Sequence, residues 1–295
     1  MKVLIVAYRR EDLLRRCVDQ LRSYFALSDL LIVDNRSEES QSIADYCLSM
    51  DIAIIRNEHN EGFAKAVNIG MRHLSDSGDD PWVFLLNPDT ELLVDPNELV
   101  RFSTASSACL TTFDAAAKSP WDSEKPIPNP WRAAWEDSGL GRLRLPQPLG
   151  SRYRSFSQNH KGYLVGCFLL VSTAAWQRVG PFDERFWLYS EETDWCLRAY
   201  KEGMDCQVIP VLGYRHYARQ ASLGDPAVEV RSMNAYRKSR KLFIEKYWGG
   251  LGIRSYELLL SLLLRLRRVA SYAHRLPGSY RSLDASQRSA RSANR

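Results

Sequence analysis

Apolar residues along the first hundred positions alternate between two periods. Val3-Leu4-Ile5-Val6-Ala7 is a short continuous apolar run, the pattern of a strand covered on both faces. Leu13, Leu14, Cys17, Leu21 and Phe25 then recur at helical spacing. Residues 30–33 predict a second strand, 43–48 a helix, 52–55 a third strand, 63–74 a helix and 82–86 a fourth strand. Strand and helix in this rhythm read as βαβ units: an α/β chain with a mostly parallel, doubly wound sheet flanked by helices. Ligands of such sheets bind at the carboxyl ends of the strands. The residues just after each strand are therefore the first candidates for chemistry.

From 114 to 160 the rhythm fades, with prolines at 120, 126, 128, 130, 146 and 148 and tryptophans at 121, 131 and 135. A connection this long without periodicity predicts a lid or binding loop. A continuous strand is expected over 163–171 and a strand-like stretch over 208–214. A helix is expected from near Ser190, and two more close the chain at roughly 227–247 and 253–273. Residues 281–295, rich in Ser, Ala and Arg, predict a disordered tail.

The composition, 45% apolar and 25% charged over 295 residues, excludes a wholly disordered, collagen-like or disulfide-scaffold chain. The net charge of +5 changes the picture only when divided. Residues 251–295 hold nine arginines, no lysine and two acids, a formal +7, while residues 1–250 hold 31 basic and 33 acidic residues, or −2. A near-neutral body with a basic tail gives no reason to expect a nucleic-acid partner. On a helical projection Arg254, Ser261, Arg265, Arg268 and Arg275 share one side and Leu259, Leu262, Leu263, Leu266 and Ala270 the other. That makes 251–280 a basic amphipathic helix suited to an anionic membrane surface. Packing on its own domain or on a second subunit, as in a homodimer, is the alternative. The six cysteines show no CxxC pair and no short metal-ligand spacing, and read as buried thiols of a reducing compartment. The N-terminal apolar run is too short for a signal-peptide core, and the longest uncharged run near the other end, 258–264, falls far below the ~20 residues of a spanning helix. A cytoplasmic protein, peripheral on the membrane, is expected.

Three successive strands end in polar turns: Asp34-Asn35-Arg36-Ser37, then Asn57-Glu58-His59-Asn60-Glu61-Gly62-Phe63 opening a helix with Lys65 and Asn68, then Asn87-Pro88-Asp89-Thr90. Each alone is what turns and caps use; all three on one sheet edge point to a site. Neither GxxxxGK[ST] nor GxGxxG occurs. A bound nucleotide diphosphate therefore needs another neutralising group, and a divalent cation held by Asp89 would serve, since Mg²⁺ and Mn²⁺ favour carboxylate oxygen plus ligand phosphates. A second cluster runs from Gly180 to Arg198. Ser190 is a natural N-cap there, acids gain from a helix N-terminus, and Asp194 and Arg198 can pair at i, i+4. Glu191-Glu192 follow the bulky Phe186-Trp187-Leu188-Tyr189. Adjacent like charges are expected on opposite helix sides, one facing structure and the other a cleft, where a carboxylate is a suitable general base. His216 reads either as a hydrogen-bonded structural residue or as an imidazole completing a site begun by Asp89.

Taken in order, Val6-Ala7-Tyr8, Val33-Asp34-Asn35, Asn60-x-Gly62-Phe63-Ala64 with Asn68 and Gly70, Leu86-Asn87-Pro88-Asp89, Gly166-Cys167-Phe168-Leu169-Leu170, Pro181-Phe182-Asp183-Glu184 and Tyr189-Ser190-Glu191-Glu192-x-Asp194-x-Cys196-Leu197-Arg198 resemble inverting glycosyltransferase family 2. Within it the chain looks most like bacterial rhamnosyltransferases of surface-polysaccharide assembly. The resemblance implies a GT-A fold over 1–250, with a nucleotide-sugar-binding half (1–113) and an acceptor half (114–250). It implies that Ala7, Tyr8 and Asp34 line the base and ribose pocket, with Asn60, Gly62, Lys65 and Asn68 near ribose and diphosphate. Asn87-Pro88-Asp89 stands at the family's DxD metal motif, with Asp89 as metal ligand and His216 as a second ligand for Mn²⁺ or Mg²⁺. Asp183, Glu184 and Trp187 fall on the acceptor side, and Glu192 at the catalytic base. Three positions depart from the pattern: Ala7 stands for Ser or Thr, Asn87 for the first Asp, and Glu192 for Asp, which leaves Glu191 a competitor. The implied substrates are a nucleotide-diphosphate sugar, dTDP-rhamnose first and UDP-linked hexose or galactofuranose second, and a glycan or lipid-linked acceptor. A catalytically inactive binding subunit and a nucleotidyltransferase are the competing classes.

Overall fold

The computed structural model describes residues 1–77, 80–117, 120–140, 162–217 and 225–275. Side-chain parity sets its layers. In β1 (Lys2–Ala7), Val3, Ile5 and Ala7 face one core while Leu4 and Val6 face the other, the period of two that a pleated strand imposes. Helix α1 (Glu11–Leu21) covers the first face with Leu14, Cys17, Val18 and Leu21, and α2 (Ser40–Ser49) with Ile43, Tyr46 and Cys47. Helix α3 (Phe63–Ser77) covers the second with Ala64, Val67 and Met71. β1 pairs in parallel with β2 (Leu30–Asp34), and β2 with β3 (Ala53–Arg56). The other neighbour of β1, also parallel, is β4 (Trp82–Leu86).

The sheet continues through strands from later in the chain: β5 (Thr90–Leu92), then, after the short α4 (Pro96–Leu99), β6 (Ser107–Asp114). After the two-stranded ribbon of β7 (Glu124–Pro126) and β8 (Gly162–Leu164) come β9 (Phe168–Ser172) and β10 (Asp205–His216). The order is β3-β2-β1-β4-β9-β6-β10-β5, with β9 and β5 antiparallel to their neighbours and the remaining pairs parallel. This is the mostly parallel sheet expected. In its middle Phe84 of β4 meets Phe168 of β9 edge-on at 4.7 Å between ring centroids, and Phe168 stacks on Tyr214 of β10 at 4.9 Å. Each fully buried side chain of this size is worth roughly 1.5–3 kcal/mol.

Three departures from the sequence pattern have physical reasons. The continuous strand over 163–171 is two strands, β8 and β9, because Val165-Gly166-Cys167 turns between them. β6 lies where no strand is expected: Thr111 and Thr112 are fully buried within it, and the Thr111 hydroxyl donates to the Phe168 carbonyl at 2.7 Å. A threonine satisfied in this way fills a core position without registering as apolar. The proline-punctuated stretch holds α5 (Pro130–Ser138), capped by the Asn129 side chain, which accepts from the Arg132 amide.

The chain divides into two compact units, residues 1–127 with 154–243 and residues 128–153 with 244–295. The first contains the sheet, α6 (Thr173–Val179) and α7 (Glu191–Lys201). The closing helix α8 (Pro226–Arg275) is interrupted at Gly249 (φ 63°, ψ −167°), in keeping with two closing helices. In the second unit Ala133, Ala134, Leu140, Ile244, Tyr256 and Leu263 form a small core. There the Tyr256 hydroxyl donates to Asp137 Oδ2 at 2.8 Å and Arg267 Nη1 to the Ser138 carbonyl at 2.9 Å. The projected apolar side of this helix is split: Leu259 and Leu263 turn into that core, whereas Leu262 and Leu266 are exposed. Segment 141–161, residues 276–280 of the basic helix, the tail 281–295 and the side chains of Ala270 and Arg275 lie outside the described residues.

Candidate active site

The expected turns stand side by side at one sheet edge, because β1, β2 and β4 are parallel neighbours, with Ala7 level with Asp34. Ala7 is buried and Tyr8 half-buried. Asp34 is wholly buried; its Oδ1 accepts from Ser40 Oγ at 2.8 Å and from the Arg36 amide at 3.2 Å. Arg56 Nε stands 3.8 Å from Oδ2, which accepts no hydrogen bond among the described residues. An open buried acceptor costs roughly 1–3 kcal/mol, and an N–H or O–H of a ligand is the group that satisfies it. Just past Tyr8, Arg9 and Arg10 hold left-handed φ values of 59° and 54°. Arg9 is fixed there by Asp225 at 2.6 Å and Glu38 at 2.8 Å, and Arg10 by Asp12 at 2.7 Å.

Asn35 anchors the next turn. Its Nδ2 donates to Asn60 Oδ1 and the Gly62 carbonyl, both at 3.2 Å, and its Oδ1 accepts from Asn57 Nδ2 and the Glu61 amide, both at 3.0 Å. One side chain thus spends its full hydrogen-bonding capacity on the 57–62 loop. Gly62 has φ +83°, and a Cβ there would lie 2.3 Å from the Trp187 carbonyl oxygen. That oxygen accepts the Phe63 amide at 2.7 Å, so only glycine lets the Trp187 segment dock. Lys65 pairs with Glu61 at 2.7 Å. Asn68 is buried, donating to the Phe182 carbonyl (2.9 Å) and Glu184 Oε1 (3.0 Å) and accepting the Phe182 amide (2.9 Å). With both donors spent, it clasps α3 to the 181–184 turn instead of offering its amide to ribose or diphosphate. Asp183 holds Arg185 at 2.6 Å.

Asp89 Oδ1 and His216 Nε2 lie 3.2 Å apart although 127 residues separate them. β10 pairs antiparallel with β5, which places His216 opposite Thr90, and the His216 amide donates to Asp114 Oδ1 at 3.1 Å. Burial disfavours charge on the imidazole, yet hydrogen bonding to Asp89 and the Cys167 thiol raises its pKa to about 10. The Cys167 carbonyl accepts the Asn87 amide at 3.0 Å. A carboxylate oxygen and an imidazole nitrogen converge here with side chains 13% and 19% exposed. Once the imidazole gives up its proton, that donor set suits Mn²⁺ or Mg²⁺ with positions left for ligand phosphates and water.

The acidic pair opens α7. Tyr189 and Ser190 before it both hold left-handed φ, 69° and 72°, a strain of about 1–3 kcal/mol per residue of the kind found at functional sites. Ser190 makes no side-chain cap, contrary to its sequence role, because the left-handed turn takes it out of capping geometry. Asp194 pairs with Arg198 at 2.9 Å as expected. Glu191 is 4% exposed, and burial followed by the Glu192 charge raises its pKa well above the ordinary carboxylate value. Burial also lifts Glu192, to about 7. The two side chains interact directly, which the expectation of opposite helix sides missed; the Glu191 proton favours ionised Glu192. The Oε2 atoms of both are buried and accept no hydrogen bond among the described residues.

Gly166 lies beside Glu192: a Cβ there would rest 3.7 Å from Glu192 Cβ and Cγ. Gly166 thus neighbours Glu192, and Cys167, next in the turn, interacts with His216. Asn35, Asn57, Gly166 and Cys167 are site-building residues to which the sequence assigned no role. Asn35 and Asn57 are signalled by their place in the polar turns after β2 and β3, and Asn35, Gly166 and Cys167 by the motifs of the resemblance. The fold also gathers Cys109, Cys196 and Cys206, whose sulfurs lie within 4.8 Å of one another. They belong to the packing of β6, α7 and β10, and all six cysteines are free thiols.

Residues 2–132 match the model of Glycosyl transferase family 2. The chain is 24% identical over 222 residues to the low-salt glycan biosynthesis hexosyltransferase Agl10 of Haloferax volcanii, covering 72% of this chain and 66% of that protein. It is 26% identical over 270 residues to the N-acetylglucosaminyl-diphospho-decaprenol L-rhamnosyltransferase of Mycobacterium tuberculosis, covering 81% of this chain and 86% of the relative. Its fold resembles that of the mannosyltransferase PcManGT from Pyrobaculum calidifontis, solved with GDP-Man and Mn²⁺, with a TM-score of 0.57 at 11% identity over 98% of this chain and 79% of the other. No helix of the described residues is long and apolar enough to cross a membrane. Residues 2–132 thus resemble glycosyltransferase family 2, the fold is GT-A-like, and the chain is a glycosyltransferase similar to hexosyl- and rhamnosyltransferases.

Proposed function

We propose that this glycosyltransferase works by inversion, moving a sugar from a nucleotide-diphosphate donor to a hydroxyl of a glycan or lipid-linked acceptor, with Glu192 as the base. The observation that carries the reading is Glu192 itself: one carboxylate oxygen unpartnered, a pKa raised to about 7, and Gly166 beside it in the turn whose Cys167 interacts with His216. An acceptor hydroxyl does not ionise near neutral pH and must lose its proton as it attacks. Glu192 accepts that proton while the oxygen forms its bond to the anomeric carbon. The bond from that carbon to the diphosphate oxygen breaks on the opposite face, its electron pair leaving with the nucleotide, so configuration inverts without a covalent enzyme intermediate. Glu191, protonated behind the base, favours the ionised form of Glu192.

Asp89 and His216 would hold the divalent cation, Mn²⁺ or Mg²⁺. When bound it supplies Lewis-acid stabilisation of the leaving diphosphate's charge. Asp34, with its open buried oxygen, receives a donor of the nucleoside, and Ala7, Tyr8, Asn60, Gly62 and Lys65 form the surrounding edge. Asp183, Glu184 and Trp187 are assigned to the acceptor side. The relative from Mycobacterium tuberculosis is a rhamnosyltransferase acting on a decaprenol-linked sugar, which supports dTDP-rhamnose as donor and a polyprenyl-diphosphate-linked acceptor in surface-polysaccharide synthesis. Such an acceptor resides in a membrane, so attachment to its cytoplasmic face through 251–280 belongs to the same reading.

Glu192→Gln is expected to abolish transfer while nucleotide binding, followed by calorimetry with Mn²⁺ present, persists. Full turnover in that variant removes the base assignment. Slow metal-dependent hydrolysis of the donor by the wild type separates an enzyme from an inactive binding subunit.

A further inference from the structure

The helix after Gly249 turns one stripe inward and leaves a second apolar stripe in solvent. Leu251, Leu258, Leu262, Leu266 and Val269 are 79, 75, 53, 53 and 67% exposed. Their spacing of 7, 4, 4 and 3 aligns them along one face. They are not the residues that hold the second unit together, since Tyr256, Leu259 and Leu263 do that from another face. At one end of the stripe, Trp131 and Trp248 join Leu251 in lining a groove of about 440 Å³, and Trp131 is 63% exposed. Alongside runs a second row, Arg254, Ser261, Arg265 and Arg268, all exposed. Its three arginines make no ion pair or hydrogen bond among the described residues, and no acid occurs between 258 and 275.

We propose that this face docks on an anionic lipid bilayer, with the leucine stripe in the acyl boundary, Trp131 and Trp248 at the level of the headgroups, and Arg254, Arg265 and Arg268 on lipid phosphate. The proposal deepens the membrane attachment named above by giving it a surface. An exposed apolar stripe about 27 Å long (at 1.5 Å per residue) is an unusual feature for a soluble surface. Its edge of unneutralised arginines settles the occupant. A second copy seated on the same face would bring arginine rows together, whereas lipid phosphate complements them. No described helix spans a bilayer, so this one lies on the membrane.

Flotation of the full chain with phosphatidylglycerol-containing vesicles, and separately with pure phosphatidylcholine vesicles, tests the assignment. The wild type is expected to float with the anionic vesicles only. Leu258→Glu with Leu262→Glu is expected to weaken binding more than tenfold. Arg254→Gln, Arg265→Gln and Arg268→Gln are each expected to weaken it about fivefold, the equivalent of ~1 kcal/mol per arginine near the surface. Circular dichroism and donor hydrolysis in solution, both unchanged in these variants, show that the fold and the catalytic site are intact, so failure here is distinguishable from failure of the catalytic reading. Vesicle binding that survives the glutamate pair, or equal binding to neutral vesicles, overturns the proposal. So does a dimer in light scattering that the glutamate pair dissolves while vesicle binding is absent, which would assign the face to a second copy.

Discussion

The strand-end turns and the entry to α7 are built on opposite principles. Around Asn35 the side-chain amides are matched with partners, and the loop from Asn57 to Gly62 is held by hydrogen bonds at 3.0–3.2 Å. At α7 two left-handed residues precede two buried carboxyls with unpartnered oxygens. The first arrangement gives a rigid cradle at small cost. The second keeps carboxyls in dry surroundings, where burial raises their proton affinity and disfavours the ionised form. The contrast is between the Asn35 network and the Glu191-Glu192 pair; strain and an open acceptor also occur beside the former, at Arg9, Arg10 and Asp34 Oδ2.

The largest effect that tests this contrast is Glu192→Gln, expected to cut turnover about 10²–10⁴-fold, the usual contribution of a general base, with thermal stability kept or raised. Next, Gly62→Ala combines a positive φ with an overlap at 2.3 Å on the Trp187 carbonyl and should cost about 2–4 kcal/mol, read as a lowered denaturation midpoint. Asn35→Ala leaves several loop groups unpaired and should cost about 2–3 kcal/mol while raising the KM for the donor more than it lowers kcat. A melt that does not move would show the cradle to be looser than its hydrogen bonds imply.

Glu191→Gln should have the smallest effect on activity and the opposite sign on stability. Glu191 has a folded pKa above its unfolded value, so its destabilisation is absent below the ordinary carboxylate pKa and grows as pH rises through the window above it. The variant should therefore gain about 1 kcal/mol over the wild type at alkaline pH and little in acid. A gain independent of pH would mean that desolvation of the carboxylate is not its source.

β1, β2 and β4 are legible in the sequence because they are covered on both faces and read as unbroken apolar runs, and the edge strand β3 because its residues are mostly apolar. β6 is not legible, since buried Thr111 and Thr112 look polar; strand pairing brings the Phe168 carbonyl to the Thr111 hydroxyl. Candidate residues at strand ends were reachable from the rule that parallel sheets bind ligands there, as Asp34 and Asp89 illustrate. The convergence of His216 on Asp89 depends on antiparallel pairing across 127 residues, which no local pattern encodes. The partners of Asn68 are beyond a local pattern for the same reason: Phe182 and Glu184 lie 114 and 116 residues away. In the C-terminal helix, a projection finds apolar positions but cannot divide the stripe that packs from the stripe that stays in solvent.

The pH dependence of kcat/KM for sugar transfer, measured side by side on the wild type and Glu192→Gln, tests the assignment of the base most directly. The wild-type rate should rise tenfold per pH unit on the acid side and level off above pH about 7, where Glu192 is ionised, and the glutamine variant should be slow with that limb absent. A wild-type profile flat across neutrality, or a variant that keeps the same rising limb, would contradict Glu192 as the base.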